Sequence, residues 1–196
     1  AISSFLTSML SFNSKFDANA QFEDNTVGLT PMEAMGANLF REKARCSTCH
    51  SGSNFGSWGQ ANIGLEMNYS DQGIGALFES EMFEGVFKIP SLRNLVFTGP
   101  YMHDGRFDNL DQVIEHYNSG IVAHPVLDSR LWQDPPMWGD FEPFPIINSE
   151  QGTDVVPVRL NLTNVEKEAL KAFLVSLTDY DLVNDPKFSD PFVYED

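Results

Sequence analysis

Two cysteines, with two residues between them and a histidine directly after, constrain this chain more than any other feature. The stretch "ARCSTCHSG" carries Cys46, Cys49 and His50, and the chain has no other cysteines. Three chemistries use such a pair. A disulfide across two residues would make a redox dithiol. A zinc site would need two further Cys or His ligands at suitable spacing, and none lies nearby. C-x-x-C-H uses all three residues at once and is the attachment signature of c-type haem. The two thiols add across the two haem vinyl groups, and the adjacent imidazole projects at the iron. A single motif implies one covalent haem. Attachment of this kind is completed outside the cytoplasm, so the expected location is periplasmic or otherwise extracytoplasmic.

The rest of the chain must form a core around that group. With 196 residues, 42% hydrophobic and 12% aromatic, it reads as one packed domain over residues 1–196 rather than a disordered chain. No apolar run approaches the roughly 18 residues of a membrane span. The start, "AISSFLTSMLSF", has no initiator Met, no basic leader and no cleavage site, so it reads as a mature or excised chain. Acidic residues outnumber basic ones 28 to 12, a formal charge of −16. That balance disfavours nucleic acid and anionic membrane surfaces, which select basic patches. It suits a basic protein partner, and equally a chain kept soluble by its charge.

Periodicity marks helices separated by long loops. Residues 1–12 place Ile2, Phe5, Leu6, Met9 and Leu10 on one face. "TPMEAMGANLFRE" opens with Thr30 as N-cap, Pro31 at the first helical position and Glu33 closing a capping box. That helix leads into Cys46. Residues 53–87, rich in Gly, Asn and Ser, read as a loop whose Phe55 and Trp58 could wall a haem edge or pack ordinarily. "NLDQVIEHYNSG" predicts a helix with Gly120 as its stop. Residues 121–157 form a second loop, whose prolines in "DPPMWGDFEPFP" forbid a regular helix. "LTNVEKEALKAFLVSLT" closes the pattern, with Thr163 and Glu166 as a second capping box and Leu170, Phe173, Leu174 and Leu177 as the buried stripe. Strand alternation is nearly absent. The expected class is all-α, a cytochrome c-like haem domain with long irregular loops.

A His-ligated haem needs a sixth ligand or an open face, and the choice separates electron transfer from ligand chemistry. Met67, Met82, Met102, His103, His116, Tyr117 and His124 follow the motif. On the helix from Leu110, the spacing of Leu110, Val113, Ile114 and Tyr117 turns Tyr117 inward and His116 about 100° away. A core tyrosine has the same spacing. Met102, in the turn "TGPYMHDGRF", is a soft ligand that would raise the reduction potential, or simply a core filler. On the residues alone the choice stays open.

"FKIPSLRNLVFTGPYMHDGRFDNLDQVIEHYNSG", residues 87–120, resembles the C-terminal haem domain of bacterial di-haem cytochrome c peroxidases and the related MauG proteins. The resemblance extends to "LTPMEAMGANLFREKARCSTCHSG" before it and "LNLTNVEKEALKAFLVSLT" after it, and so covers most of residues 1–178. It implies a domain that relays electrons to a second, peroxide-reacting haem. That haem, and the acid–base residues around it, belong to an N-terminal half that this chain lacks. In the family a methionine follows the H-D-G segment as sixth ligand, and MauG proteins place a tyrosine there. The matching position here is Tyr117. The resemblance further implies calcium held by backbone carbonyls matching Thr98 and Pro100, and a histidine close to the haem at His103. Arg93 is a candidate partner for a haem propionate, or for a surface carboxylate.

Three functions remain in view. The first is a haem c oxidoreductase domain of a peroxidase system that reacts with hydrogen peroxide, partnered by the N-terminal haem half and fed by a basic cytochrome. The second is a stand-alone mono-haem electron carrier. The third is a MauG-like enzyme that oxidises a protein side chain, with Trp58, Trp132 and Trp138 as candidate relay stations, each also readable as core packing.

Overall fold

The computed structural model describes residues 2–19, 28–135 and 155–190. Trp138 and most of the "DPPMWGDFEPFP" stretch lie outside them. The helices, in chain order, are α1 (Ile2–Ser8), α2 (Lys15–Asn19), α3 (Pro31–Arg41), α4 (Ile74–Phe78), α5 (Leu110–Glu115), α6 (Asn164–Ser176) and α7 (Tyr180–Asn184). Single 3₁₀ turns, one of them Cys46–Thr48, punctuate the connections. β1 (Gln60–Ala61) pairs antiparallel with β2 (Phe87–Lys88), Gln60 opposite Lys88 and Ala61 opposite Phe87. This short ladder and α4 fall in or beside the stretch expected to be irregular.

The core is the crossing of α3 and α6. Both helices start as their sequences predict. Thr30 accepts from the Glu33 backbone N–H while Glu33 reaches back to the Thr30 N–H, and Thr163 and Glu166 repeat the arrangement. Their buried faces carry Gly36, Ala37, Leu39 and Phe40 on α3, and Ala169, Leu170, Phe173 and Leu174 on α6. Gly36 decides how closely the helices meet. A Cβ added there would lie 1.9 Å from the Ala169 carbonyl oxygen, so only a residue without a side chain fits. The close approach brings Phe40 and Phe173 together with Phe16 and Phe55, ring centroids 5.0–6.0 Å apart and mostly edge to face. Phe55 is thus a core residue.

α1 departs from expectation in two ways. It ends at Ser8, and none of its residues is buried. Its apolar face is not turned into the core, although Phe5 meets the Phe188 ring edge to face at 5.9 Å. The segment after it is anchored by polar bonds instead. The Asn13 N–H donates to the buried Asp179 carboxylate at 3.0 Å, and Asp17 takes a bidentate pair from Arg93 at 2.7 Å.

Candidate functional site

α3 ends at Arg41, and a tight turn then delivers the cysteine motif. Arg45 adopts a left-handed conformation at φ 57°, from which the 3₁₀ turn Cys46–Thr48 starts. The Cys49 and His50 N–H groups both donate to the Cys46 carbonyl, at 3.2 and 2.9 Å. One helical turn therefore carries both thiols and the imidazole. The thiols are free, not joined in a disulfide. Burial pushes the Cys46 thiol up to about 12, the neighbouring Cys49 adding to the effect, and burial raises Cys49 too. Both are protonated at neutral pH, which argues against a reactive redox dithiol, whose nucleophile is a thiolate.

The two ring nitrogens of His50 have different surroundings. Its Nδ1 sits 3.2 Å from the Phe55 carbonyl oxygen and 3.1 Å from that of Pro90. Two carbonyl acceptors require the proton on Nδ1, which leaves the Nε2 lone pair free. Burial lowers the His50 pKa, against the two carbonyls that raise it, so the ring is neutral at pH 7. The fold holds the second acceptor in place through neighbours of Pro90. The Leu92 N–H bonds the Phe55 carbonyl, and the Ser91 hydroxyl bonds that of Asn54.

Tyr117 sits within electrostatic reach of both thiols. Burial pushes its phenol well above the usual tyrosine range, with Cys49 and Cys46 reinforcing the shift. The ring packs against the core and keeps part of its surface accessible. Its hydroxyl has no hydrogen-bond partner among the described residues. Cys46, Leu92, Leu95, Tyr101, Leu131 and Trp132 are half-buried in the same way, each packed against the core with a face left open. Paired free thiols, an imidazole with a bare Nε2, an unpartnered phenol and half-open apolar side chains fit a flat, largely apolar, metal-bearing group such as haem.

The helix that presents Tyr117 is not the regular one its sequence suggests. α5 stops at Glu115, and His116–Gly120 form a π-turn. His116 is 6% exposed, with Nε2 donating to the Ile63 carbonyl at 3.0 Å, and its ring meets Tyr117 at 5.1 Å. Its expected direction, away from the core face of the helix, does not leave it in solvent, because the Ile63 segment covers it.

The other candidates are scattered. Met67 and Met82 are exposed. Met102 is half-buried in a turn at φ 73°. His103 lies flat on Phe87, centroids 3.8 Å apart, while the Asp104 carboxylate beside it is taken by Arg106. His124 is a structural histidine, its Nδ1 accepting the Val126 N–H at 3.2 Å in a buried cluster with Asn62 and Tyr69. Thr98 and Pro100 lie on an exposed turn. The Arg93 guanidinium is committed to Asp17 and to the Ser53 carbonyl, stacked over Phe12 at 4.6 Å. Trp58 is 99% exposed, whereas Trp132 is half-buried with Nε1 bonded to the Leu127 carbonyl.

Arg130 escaped the sequence reading. It forms a bidentate pair with Asp128, bonds the Thr48 carbonyl at 3.4 Å, and its charge acts on both Cys49 and His50. The one available signal was the "LDSR" order, in which Asp128 also caps the turn Ser129–Leu131.

Comparison with known proteins finds relatives by sequence and by fold. The chain is 34% identical over 133 residues to the methylamine utilization protein MauG of Methylorubrum extorquens, covering 67% of this chain and 37% of that protein. It is 29% identical to the cytochrome-c peroxidase IdrP2 of Pseudomonas sp. strain SCT, over 95% of this chain and 50% of the relative. The crystal structure of a MauG-like protein associated with microbial copper homeostasis superposes with a TM-score of 0.73 at 29% identity, over 97% of this chain and 59% of that one. The chain belongs to the MauG and di-haem cytochrome c peroxidase family. The fold of another di-haem peroxidase, BthA of Burkholderia thailandensis, matches with a TM-score of 0.61. No protein-family model matches the chain. Within this family the chain spans about a third to a half of the length of the curated relatives it matches.

Proposed function

We propose that this chain is a mono-haem c domain, the C-terminal half of a MauG-like di-haem oxidoreductase, with Tyr117 as the sixth iron ligand opposite His50. Cys46 and Cys49 would carry the two thioether bonds. When bound, the haem supplies an iron that cycles between oxidation states and so stores or passes oxidising equivalents. The supporting observation is the constellation itself: two free thiols, His50 with its Nδ1 proton held by two carbonyls, and a Tyr117 phenol within electrostatic reach of both thiols.

The residues set the character of the site. His50 keeps its proton on Nδ1, and the Phe55 and Pro90 carbonyls orient the ring and make Nε2 more basic. Without a metal, burial keeps Tyr117 a neutral phenol. A metal cation beside the oxygen would reverse that preference, and Tyr117 would then serve as a hard anionic donor that favours ferric over ferrous iron. A haem held this way would have a low reduction potential, where a methionine such as Met102 would raise it. The partner is the half of the family that carries the second, peroxide-reacting haem, and hydrogen peroxide is the oxidant. Calcium bound by the Thr98 and Pro100 carbonyls belongs at the boundary between the halves. His103 belongs beside the haem, the compartment is periplasmic, and a basic cytochrome is the donor suited to a charge of −16.

Electron paramagnetic resonance of the ferric protein beside Tyr117→Phe tests the ligand assignment. A low-spin native signal whose ligand field changes on substitution is expected. Coincident spectra would return Tyr117 to the core and leave a stand-alone carrier with another sixth ligand.

A further inference from the structure

Among the described residues the Tyr117 hydroxyl has no hydrogen-bond partner, so its direction rests on how the backbone around it is held. Its two neighbours in the chain hold that backbone. On one side, His116 Nε2 is tied to the Ile63 carbonyl at 3.0 Å. On the other, Asn118 makes three bonds to separate places. Its backbone carbonyl accepts the Leu160 N–H at 3.0 Å, its Oδ1 accepts the Leu162 N–H at 2.8 Å, and its Nδ2 donates to Glu115 Oε1 at 3.1 Å. Glu115 in turn pairs with Lys167 on α6 at 3.0 Å. The acceptor pair on Asn118 works because Asn161, between the two leucines, sits at φ 50° and lets both N–H groups face the same residue.

These bonds span the π-turn, a conformation rarely stable by its own hydrogen bonding. An unbroken α-helix would keep the backbone bonds and rotate residues 116–118 to other directions. The side-chain and tertiary bonds of Asn118 are what the π form gains in exchange. We infer that Asn118 is a positioning residue for the haem ligand: by anchoring the π-turn to the segment Leu160–Leu162 it fixes the direction of the Tyr117 hydroxyl. This inference rests on the assignment of Tyr117 as ligand and extends it to a residue that does not touch the haem.

The test uses the haem-loaded protein and compares wild type, Tyr117→Phe, Asn118→Ala and Asn118→Asp. Ferric paramagnetic resonance spectra are recorded well below each protein's thermal midpoint. In Asn118→Ala, most of the native low-spin signal should be replaced by the signal of Tyr117→Phe, with a reduction potential shifted in the same direction. Asn118→Asp keeps the acceptor for the Leu162 N–H but turns an oxygen toward Glu115, so it should give a mixture of the two signals. If Asn118→Ala does not fold, the Asp variant decides by the same spectra. A lowered melting temperature with the native spectrum intact would make Asn118 merely structural and overturn the inference, although the ligand assignment would stand. A Tyr117→Phe spectrum identical to wild type would overturn both.

Discussion

The crossing of α3 and α6 and the loops around Cys46, His50 and Tyr117 are built by different means. The crossing is made of apolar surface at helical spacing, closed by two capping boxes and the missing side chain of Gly36. The loops are held by single polar side chains, each with several partners: Arg93 on Asp17 and Ser53, Asn62 on Glu84 and Gly64, Asn118 on Leu160, Leu162 and Glu115. The first kind of structure spreads its stability over many contacts. The second concentrates it in a few hydrogen bonds whose loss leaves buried groups unpaired.

Gly36→Val should break the crossing and produce the largest effect. Helix propensity favours almost any residue over glycine by up to about 1 kcal/mol, but forcing atoms into the Ala169 backbone costs about 3 kcal/mol or more, so the clash wins. Chemical denaturation should show a lower midpoint with both regions melting together. A stable variant would mean that the helices are not in close contact.

Asp17→Asn tests the loops. It removes the negative charge but keeps an amide oxygen that can accept one Arg93 N–H, beside the Ser53 carbonyl and the Phe12 and Phe55 faces, and should cost about 2 kcal/mol, less than the about 3–5 kcal/mol of deleting one partner of a buried pair. The same pair gives a pH signature. Burial raises the Asp17 carboxyl, but the bonds from Arg93 and Ser14 outweigh it and hold its pKa below the ordinary value. Its stabilisation is therefore complete above about pH 4 and is lost as pH falls through the lower, folded value. Denaturation midpoints for wild type and variant should converge in acid. Parallel curves across that range would contradict the role given to Asp17.

Thr163→Ala should be the mildest of the three. It removes the N-cap acceptor for the Glu166 N–H, worth about 1 kcal/mol, and leaves the loops unchanged. An altered haem spectrum in this variant would blur the distinction between the two regions.

The same contrast explains what could be read from the sequence. Both long helices were legible, with their caps and the stripe Leu170, Phe173, Leu174 and Leu177, because helical spacing and capping are local. That Cys46, Cys49 and His50 share one turn was legible because their spacing is local. The π-turn was not. Residues 110–120 read as an ordinary helix, and the bonds that break it come from Ile63 and Leu160–Leu162, some 40 to 50 positions away in the chain. Arg93 and Arg130 were hard to sort for a similar reason. A sequence shows a cation, but not whether Asp17 or the cysteine motif lies beside it. The apolar face on α1 was legible as amphipathic, yet periodicity cannot say that the face points away from the core.

The most direct test of the account is the mass of the mature protein under denaturing, reducing conditions. One haem per chain, retained after unfolding and lost in a Cys46→Ala, Cys49→Ala double variant, is the predicted result. A polypeptide mass without haem from cells competent in cytochrome c maturation would contradict the assignment of Cys46, Cys49 and His50, and with it the site built around them.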